Sequence, residues 1–436
     1  MTDEKIKAVI LAGGKGSRMG QEYATVPKPM ICLEGKPVLQ YQIECLYSQG
    51  IRDIILTVGH KREVIQAYWN SRANLPGEDI NISFLSEEIP LGTGGVLFFL
   101  KDIVEEDFLL LNGDILFDVD FERFRQAHLE QCRKGALATI LVHPNSHPYD
   151  SAIVVADTDG CVTEWLNREE PRCWHRNCVN AGIHFLSPEI FPYLKSKGFL
   201  LKEEKLDLDR DIWKLLIKER KLYIYESPEY VKDMGTPERC RQVEKDLQQK
   251  RPEEKNLGRK QKAIFLDRDG TINEHVGFLK NADEFRLMPG TAKAIRMMNE
   301  KNYLVIVVTN QPVIARGETT VEELERIHCK METLLGKEGA YINAVYYCPH
   351  HPDKGYPGEV RELKTECVCR KPKAGMLLAA AQKYNIDLKK SWMAGDSDTD
   401  MLAGERAGCH TAGVYGCQGK DGSFPTLLDF AEFLCR

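Results

Sequence analysis

Twice in this chain a short apolar run delivers the backbone into a turn suited to phosphate chemistry. Lys7-Ala8-Val9-Ile10-Leu11-Ala12 enters Gly13-Gly14-Lys15-Gly16-Ser17-Arg18, and Lys262-Ala263-Ile264-Phe265-Leu266 enters Asp267-Arg268-Asp269-Gly270-Thr271. Each run is short and ends in glycines or charges, which predicts a buried strand entering a tight turn. In open α/β sheets the carboxyl ends of strands are where ligands bind. Two such junctions therefore predict two active sites.

The surroundings of each junction predict two α/β domains. Further apolar runs at 53–58, 107–112 and 136–142 alternate with helical patterns at 38–49 and 62–70, as in a mostly parallel sheet covered on both faces. Shorter strands and turns from about 150 to 230 predict a mixed-sheet extension, a place for a second substrate. The chain becomes strongly charged between Pro237 and Lys262, with Pro252 and Gly258 as breakers, and strand–helix alternation then restarts at 262–266, 303–308, 342–347 and 391–394. The expected division is 1–245, a charged linker over 246–261, and 262–436. A length of 436 residues accommodates it.

Bulk chemistry excludes several functions. A net charge of −6 and a pI near 6.1 provide no global basic surface, so nucleic acid is not an expected partner. No apolar stretch is long enough to span a membrane, and Met1-Thr2-Asp3-Glu4-Lys5 does not read as a signal peptide, so a cytoplasmic location is expected. Most of the fourteen cysteines, Cys45 and Cys240 among them, are scattered in apolar segments and read as reduced thiols. Cys173 and Cys178 flank His175 without convincing ligand spacing.

In the amino-terminal half, glycines 13, 14 and 16 let backbone amides approach phosphate oxygens, and Lys15 and Arg18 add positive charge. No Gly-Lys-Ser/Thr closes the loop, so it is not a Walker A sequence. Taken alone it fits either a triphosphate loop or a glycine-rich βα turn with no ligand. Pro27-Lys28-Pro29, Leu91-Gly92-Thr93-Gly94-Gly95, Asn112-Gly113-Asp114 and Lys232-Asp233-Met234-Gly235 follow in order. Together these resemble the sugar-1-phosphate nucleotidyltransferase family over residues 5 to 245. The resemblance implies a Rossmann-like mixed sheet in which a sugar phosphate attacks a nucleoside triphosphate and releases pyrophosphate. It implies Mg²⁺ on Asp114 and Asp233, with Lys28 and Arg18 offsetting charge at the reacting phosphates. The nucleotide would meet Leu11, Gly13, Gly14, Lys15, Gly16 and Ser17, with Gly92, Thr93 and Gly94 beside the base. Where relatives carry Phe-x-Glu-Lys-Pro this chain has Trp165 to Pro171, with Arg168 in place of the lysine. Asn180 and Gly182 form either a sugar-contacting turn or a simple one.

In the carboxy-terminal half, Asp267 is placed to attack phosphorus and Asp269 to serve the leaving alcohol as acid and base. Thr309 ends the next apolar strand, Arg370-Lys371 supplies cations, and Ala394-Gly395-Asp396 opens an acidic loop running to Asp400. This order resembles the haloacid dehalogenase superfamily, which implies a doubly wound sheet with Mg²⁺ on Asp267, Asp269 and Asp396. Cys348, His350, Cys367 and Cys369 form a Cys-x-His…Cys-x-Cys set suited to a closed tetrahedral Zn²⁺ site, with His351 the alternative imidazole. That loop is similar to those of the D-glycero-D-manno-heptose 1,7-bisphosphate phosphatases and the histidinol-phosphate phosphatases. Asn310, Gln311, Arg316 and Arg370 are candidates for substrate contact. Pro312-Val313 and Ser397 depart from the family pattern.

A phosphatase that leaves a heptose 1-phosphate supplies what a sugar-1-phosphate guanylyltransferase consumes. The fusion resembles two consecutive steps toward GDP-heptose, with GTP and heptose phosphates as substrates. Another nucleotide or sugar, a regulatory amino-terminal module, and a zinc loop used for docking remain alternatives. The base, the anomer, the oligomeric state and any passage of intermediate between sites are not legible.

Overall fold

The computed structural model describes residues 6–14, 26–71 and 74–436. The chain forms two compact units. The first comprises Met1–Val142, Val154–Trp165 and Asn180–Asn256, and the second His143–Ile153, Leu166–Val179 and Leu257–Arg436.

In the first unit Lys7–Leu11 lies at the centre of a nine-stranded sheet, parallel to Asp53–Val58 on one side and Phe108–Asn112 on the other. Asn81–Ser86 extends the parallel half. Beyond Phe108–Asn112 the sheet becomes mixed, because Val179–Leu186 runs antiparallel to it. Ala8, Val9 and Ile10 are all fully buried, as an unbroken apolar run in a sheet covered on both faces requires. A separate ribbon pairs Ile115–Asp118 with Tyr230–Asp233.

The second unit is a six-stranded parallel sheet in the order Ala344–Cys348, Leu304–Asn310, Ala263–Leu266, Trp392–Gly395, His410–Val414, Gly422–Phe424. Strand order reverses direction at Ala263–Leu266, so Asp267 emerges at the topological switch point. The α/β class and the change from mixed to doubly wound sheet match the expected architecture.

The structure divides the chain differently from the expected boundaries. Residues 246–256 are packed against the first unit rather than forming a free linker. Pro237–Gln248 is a helix whose Thr236 hydroxyl accepts the Arg239 N–H, and Arg251–Lys255 adds another turn. The fully buried Asp246 accepts from Lys232 Nζ (2.5 Å), Tyr230 Oη (2.9 Å) and Gln242 Nε2 (3.0 Å). High charge content misleads here because these charges pair on a packed face. Residues 143–153 and 166–179 belong to the second unit, where they lie on the helix Val321–Lys337. Thr333 Oγ1 accepts the His175 N–H at 2.9 Å, Glu332 accepts the Asn177 N–H at 2.7 Å, and Tyr149 Oη donates to the Thr333 carbonyl at 2.8 Å. Arg172 ties the segment together by donating to the carbonyls of Pro148, Ser151 and Leu166. Arg168 lies in this segment, largely exposed beside Glu169.

Candidate active sites

In the first unit the ribbon brings the two expected carboxylates together. Asp233 pairs with Ile115, and the Met234 N–H donates to the Asp114 carbonyl at 3.0 Å, so the two acids occupy neighbouring positions. Pro27 and Pro29 fix the turn that carries Lys28, whose ammonium pairs with Asp114. Arg239 pairs with Asp233 at 2.6 Å. Two acids matched by two cations on a strand end suit a divalent ion and a polyphosphate. Gly113 must be glycine: a Cβ there would lie 2.6 Å from the Leu11 carbonyl oxygen, which holds the Asp114 turn against the central strand. Gly182, at φ +73°, sits opposite Asn112 and fixes Asn180 beside the same strand end.

Lys15, Gly16, Ser17 and Arg18 lie outside the described residues. Leu11, Gly13 and Gly14 are where strand-then-turn logic places them. Gly92–Gly95 is a helical turn rather than an open loop: the Gly94 N–H donates to the Leu206 carbonyl, and the Thr93 hydroxyl accepts the Leu208 N–H. Gly92 and Thr93 remain exposed, while Gly94 is buried against Leu206 and Ile212. Sequence reasoning missed Glu87. Its carboxylate stands over the glycine turn, where a Cβ added at Gly13 would lie 3.6 Å from Oε2, and burial raises its pKa.

In the second unit Asp267, Asp396 and Asp400 converge, with one oxygen of each within 4.8 Å of the others. Lys371 Nζ lies 2.7 Å from Asp267 and 2.6 Å from Asp400. Lys371 thus bridges the two buried carboxylates. Three converging acids beside one ammonium fit a divalent cation and a phosphoryl group. Burial and then Asp400 raise the pKa of Asp267, while Lys371 opposes them. Gly270 (φ +86°) cannot carry a side chain, since a Cβ would lie 2.1 Å from Asp396 Oδ2. Asp400 serves twice: Oδ2 completes a capping box with Ser397, and Oδ1 faces Lys371.

The Asp269 carboxylate, expected among the metal ligands, lies outside that cluster. Arg268 grips both its oxygens at 2.8 and 2.9 Å, while Asn273 (3.0 Å) and Gln311 (2.9 Å) donate as well. Burial works to raise its pKa, but Arg268, Gln311 and Asn273 together hold it below the usual carboxylate value. Gln311 also donates to the Thr309 hydroxyl at 2.8 Å, and Asn310 exchanges two 3.0 Å hydrogen bonds with the Lys371 backbone. Those side chains therefore orient catalytic groups more directly than they meet substrate. Arg316 is stacked between Phe278 and Tyr356, its centre 4.4 and 4.6 Å from the ring centroids, and its buried Nε lacks a partner. Arg370 donates to the His350 carbonyl at 3.3 Å.

A second residue escaped sequence reasoning. His328, buried on the helix Val321–Lys337, has Nε2 3.2 Å from Arg268 Nη1, and burial keeps the ring neutral. A neutral imidazole can accept from the guanidinium and so orient its grip on Asp269. The apolar face of the helix (Leu324, Ile327, Met331, Leu335) was readable, but nothing in that pattern distinguishes His328 from a core histidine.

The cysteine–histidine set is assembled as the spacing predicts. Sγ–Sγ separations are 3.2 to 3.5 Å, and His350 Nδ1 lies 3.5 Å from Cys369 and 3.7 Å from Cys348. A tetrahedron with zinc-like bonds has edges of about 3.6–3.8 Å, so four such donors fit a closed site with slight expansion. His351 faces elsewhere, accepting the Asp353 N–H and lying 3.5 Å from Arg316.

These folds define an enzyme with a nucleotidyl-transfer domain and a phosphatase domain. The chain belongs to the nucleotidyl transferase family, whose profile matches residues 7–250, and a haloacid dehalogenase hydrolase-like profile matches residues 368–421. It is 41% identical to the D-glycero-beta-D-manno-heptose-1,7-bisphosphate 7-phosphatase of Haemophilus ducreyi over 34% of this chain and 80% of that one. The Escherichia coli K12 protein of the same name is also 41% identical, over 34% of this chain and 76% of that one. Among solved structures, HddC from Yersinia pseudotuberculosis is similar at 23% identity over 56% of this chain and 99% of that one, with a TM-score of 0.47. None of the described helices is long and apolar enough to cross a membrane.

Proposed function

We propose that the second unit removes the 7-phosphate of D-glycero-D-manno-heptose 1,7-bisphosphate, and that the first transfers GMP from GTP to the resulting heptose 1-phosphate. The observation that carries this reading is the joining, in one chain, of a nucleotidyl transferase domain to a domain 41% identical to a heptose-bisphosphate 7-phosphatase. Removing the 7-phosphate leaves the 1-phosphate, the nucleophile class that nucleotidyl transfer requires. A histidinol phosphatase would give the first unit nothing to use.

In the phosphatase step Asp267 attacks phosphorus, forming an aspartyl-phosphate while the bond to the C7 oxygen breaks. Asp269 gives that oxygen its proton. In the free enzyme its carboxyl is held ionised; the arriving anionic phosphate raises its proton affinity, and it takes up a proton from solvent before donating it. Asp269 then takes a proton from water, which attacks the aspartyl-phosphate and frees Asp267. Thr309, Lys371 and Arg370 bind the phosphoryl oxygens, and Arg316 receives the distal phosphate. Asp267 and Asp396 would hold a Mg²⁺ ion, which would screen the charge between carboxylate and phosphate. Cys348, His350, Cys367 and Cys369 would hold a Zn²⁺ ion, which would stabilise the loop that carries them.

In the transfer step Asp114 and Asp233 would hold a Mg²⁺ ion, and Lys28 and Arg18 offset charge as the sugar phosphate displaces pyrophosphate. Glu87 supplies base selection: a carboxylate beside the glycine turn accepts from the N1–H and 2-amino group of guanine. Adenine offers no such pair of donors, and cytosine and uracil do not fill the same reach.

Phosphorus NMR of each heptose bisphosphate anomer, and separately of histidinol phosphate, tests the phosphatase half. The relatives are named for the beta anomer, whereas the guanylyltransferase resemblance implies the alpha one. Loss of the 7-phosphate signal with retention of the 1-phosphate is expected. Preferred hydrolysis of histidinol phosphate, or loss of the 1-phosphate, would overturn the assignment.

A further inference from the structure

The helix Val38–Ser48 packs an apolar stripe, Leu39, Ile43 and Leu46, into the core around the central sheet. One position on that buried face is polar. Gln42 is fully buried, and its Nε2 donates at 2.8 Å to the Asn112 carbonyl and at 2.7 Å to the Ile115 carbonyl. Those two carbonyls bracket the turn that presents Asp114. We propose that Gln42 is a positioning residue for nucleotidyl transfer, holding that turn so that the Asp114 carboxylate meets the divalent ion. This role rests on Asp114 and Asp233 holding the ion, as proposed for the transfer step.

Three observations support it. The first is the pattern of bonds around Asp114. The Gly113 N–H donates to the Leu11 carbonyl at 3.0 Å, and the Met234 N–H to the Asp114 carbonyl at 3.0 Å. Gln42 supplies two further ties, at the carbonyls before and after Gly113-Asp114, and it is the one side chain among these four bonds. The second is the chemistry of the donor. A primary amide carries two N–H bonds on one nitrogen, so a single Nε2 can serve two carbonyl acceptors. The reverse orientation would set Oε1 against both carbonyl oxygens, so the acceptors decide which way the amide faces. The third is what the amide forgoes. Gln42 Oε1 is buried with no hydrogen-bond partner among the described residues. An unmade hydrogen bond in the core is unfavourable, and methionine would fill a similar space without it. Packing alone does not account for glutamine here, whereas the two donated bonds do.

The tie runs from a helix already packed on the sheet into the turn, so the carboxylate is set in place before an ion arrives. Loss of both bonds would leave two buried carbonyls unsatisfied and let the turn shift. A group that orients a metal ligand from behind acts on affinity and rate together, typically by about 10–100-fold.

Full-length wild type, Gln42→Met and Asp114→Asn, titrated with Mn²⁺ and followed by electron paramagnetic resonance, test the role. Ions at the phosphatase carboxylates appear in all three proteins and cancel in the differences. Asp114→Asn should lose the ion of the first unit, and Gln42→Met should bind it about 10–100-fold more weakly. In nucleotidyl transfer Gln42→Met should lower kcat by a similar factor, with the KM for GTP little changed. Hydrogen exchange of the strand Lys7–Leu11 checks that the first unit is folded. Should Gln42→Met unfold it, Gln42→Glu is read in its place, since it keeps length and volume but can donate at most one bond. A folded variant with wild-type Mn²⁺ affinity would reduce Gln42 to a helix-to-turn tie and overturn the proposal. Equal Mn²⁺ binding by wild type and Asp114→Asn would instead remove the ion from Asp114, and the proposal with it.

Discussion

Replacing Lys371 with Met deletes the ammonium lying 2.7 Å from Asp267 and 2.6 Å from Asp400, with Lys371 only 2% exposed and Asp400 fully buried. At an effective dielectric near 20 each contact carries about 6 kcal/mol of gross attraction. Desolvation of the charges cancels much of that, and deleting one partner of a buried pair costs about 3–5 kcal/mol net. The pH dependence follows from Asp267. Burial first and Asp400 second raise its carboxyl, to about 7, against the pull of Lys371. A carboxyl raised in the folded state holds its proton more tightly there than when unfolded. Its folded form is therefore relatively favoured at low pH and loses stability as pH climbs from the ordinary carboxylate range through the folded value. Losing Lys371 raises that value further, so the deficit should be largest near pH 8 and shrink toward pH 5. Hydrogen exchange of the strand Ala263–Leu266 in magnesium-free buffer reads it locally, avoiding a two-state assumption for a two-unit chain. A deficit below about 1 kcal/mol at pH 8, or an equal deficit at both pH values, would refute the electrostatic account.

Other substitutions separate the two sites. Asp114→Asn should lower nucleotidyl transfer by about 10²–10³-fold while leaving phosphate release intact, as measured by pyrophosphate and phosphate assays run in parallel. Glu87→Gln should erode the preference for GTP by about tenfold or more in kcat/KM, because an amide cannot accept from both guanine donors; unchanged selectivity would remove Glu87 from base recognition. His328→Leu should reduce phosphatase kcat with little change in KM, and His328→Gln, which retains an acceptor for Arg268, should restore most of it. Equal loss in both His328 variants would point to packing rather than orientation of Asp269.

Much of this was legible because it is local. Strand-then-turn patterns put Asp114, Asp267, Thr309 and Asp396 at strand ends, and fixed spacing assembled Cys348, His350, Cys367 and Cys369. What was hidden depends on long-range contacts. The pairing of Thr333 with His175 spans 158 positions and leaves no periodic trace, so the grouping of 166–179 with the second unit could not be read. Gly92-Thr93-Gly94-Gly95 reads as a loop by composition, yet contacts with Leu206 and Leu208 fold it into a helical turn. Asp269 was read by its position in the motif, and only the structure reveals how Arg268, Asn273 and Gln311 hold it. Charge density at 246–261 suggested solvent, whereas the buried Asp246 collects its partners from Tyr230, Lys232, Gln242 and Arg251.

The central claim is two consecutive reactions at two separate sites. Wild type and Asp267→Asn should each be incubated with heptose 1,7-bisphosphate or heptose 1-phosphate, Mg²⁺ and one nucleoside triphosphate at a time, with products identified by mass spectrometry. The account predicts GDP-heptose from either sugar with wild type and GTP, and from heptose 1-phosphate alone with the folded Asp267→Asn protein. Heptose 1-phosphate accumulating with every nucleotide, or loss of both reactions in that variant, would contradict it.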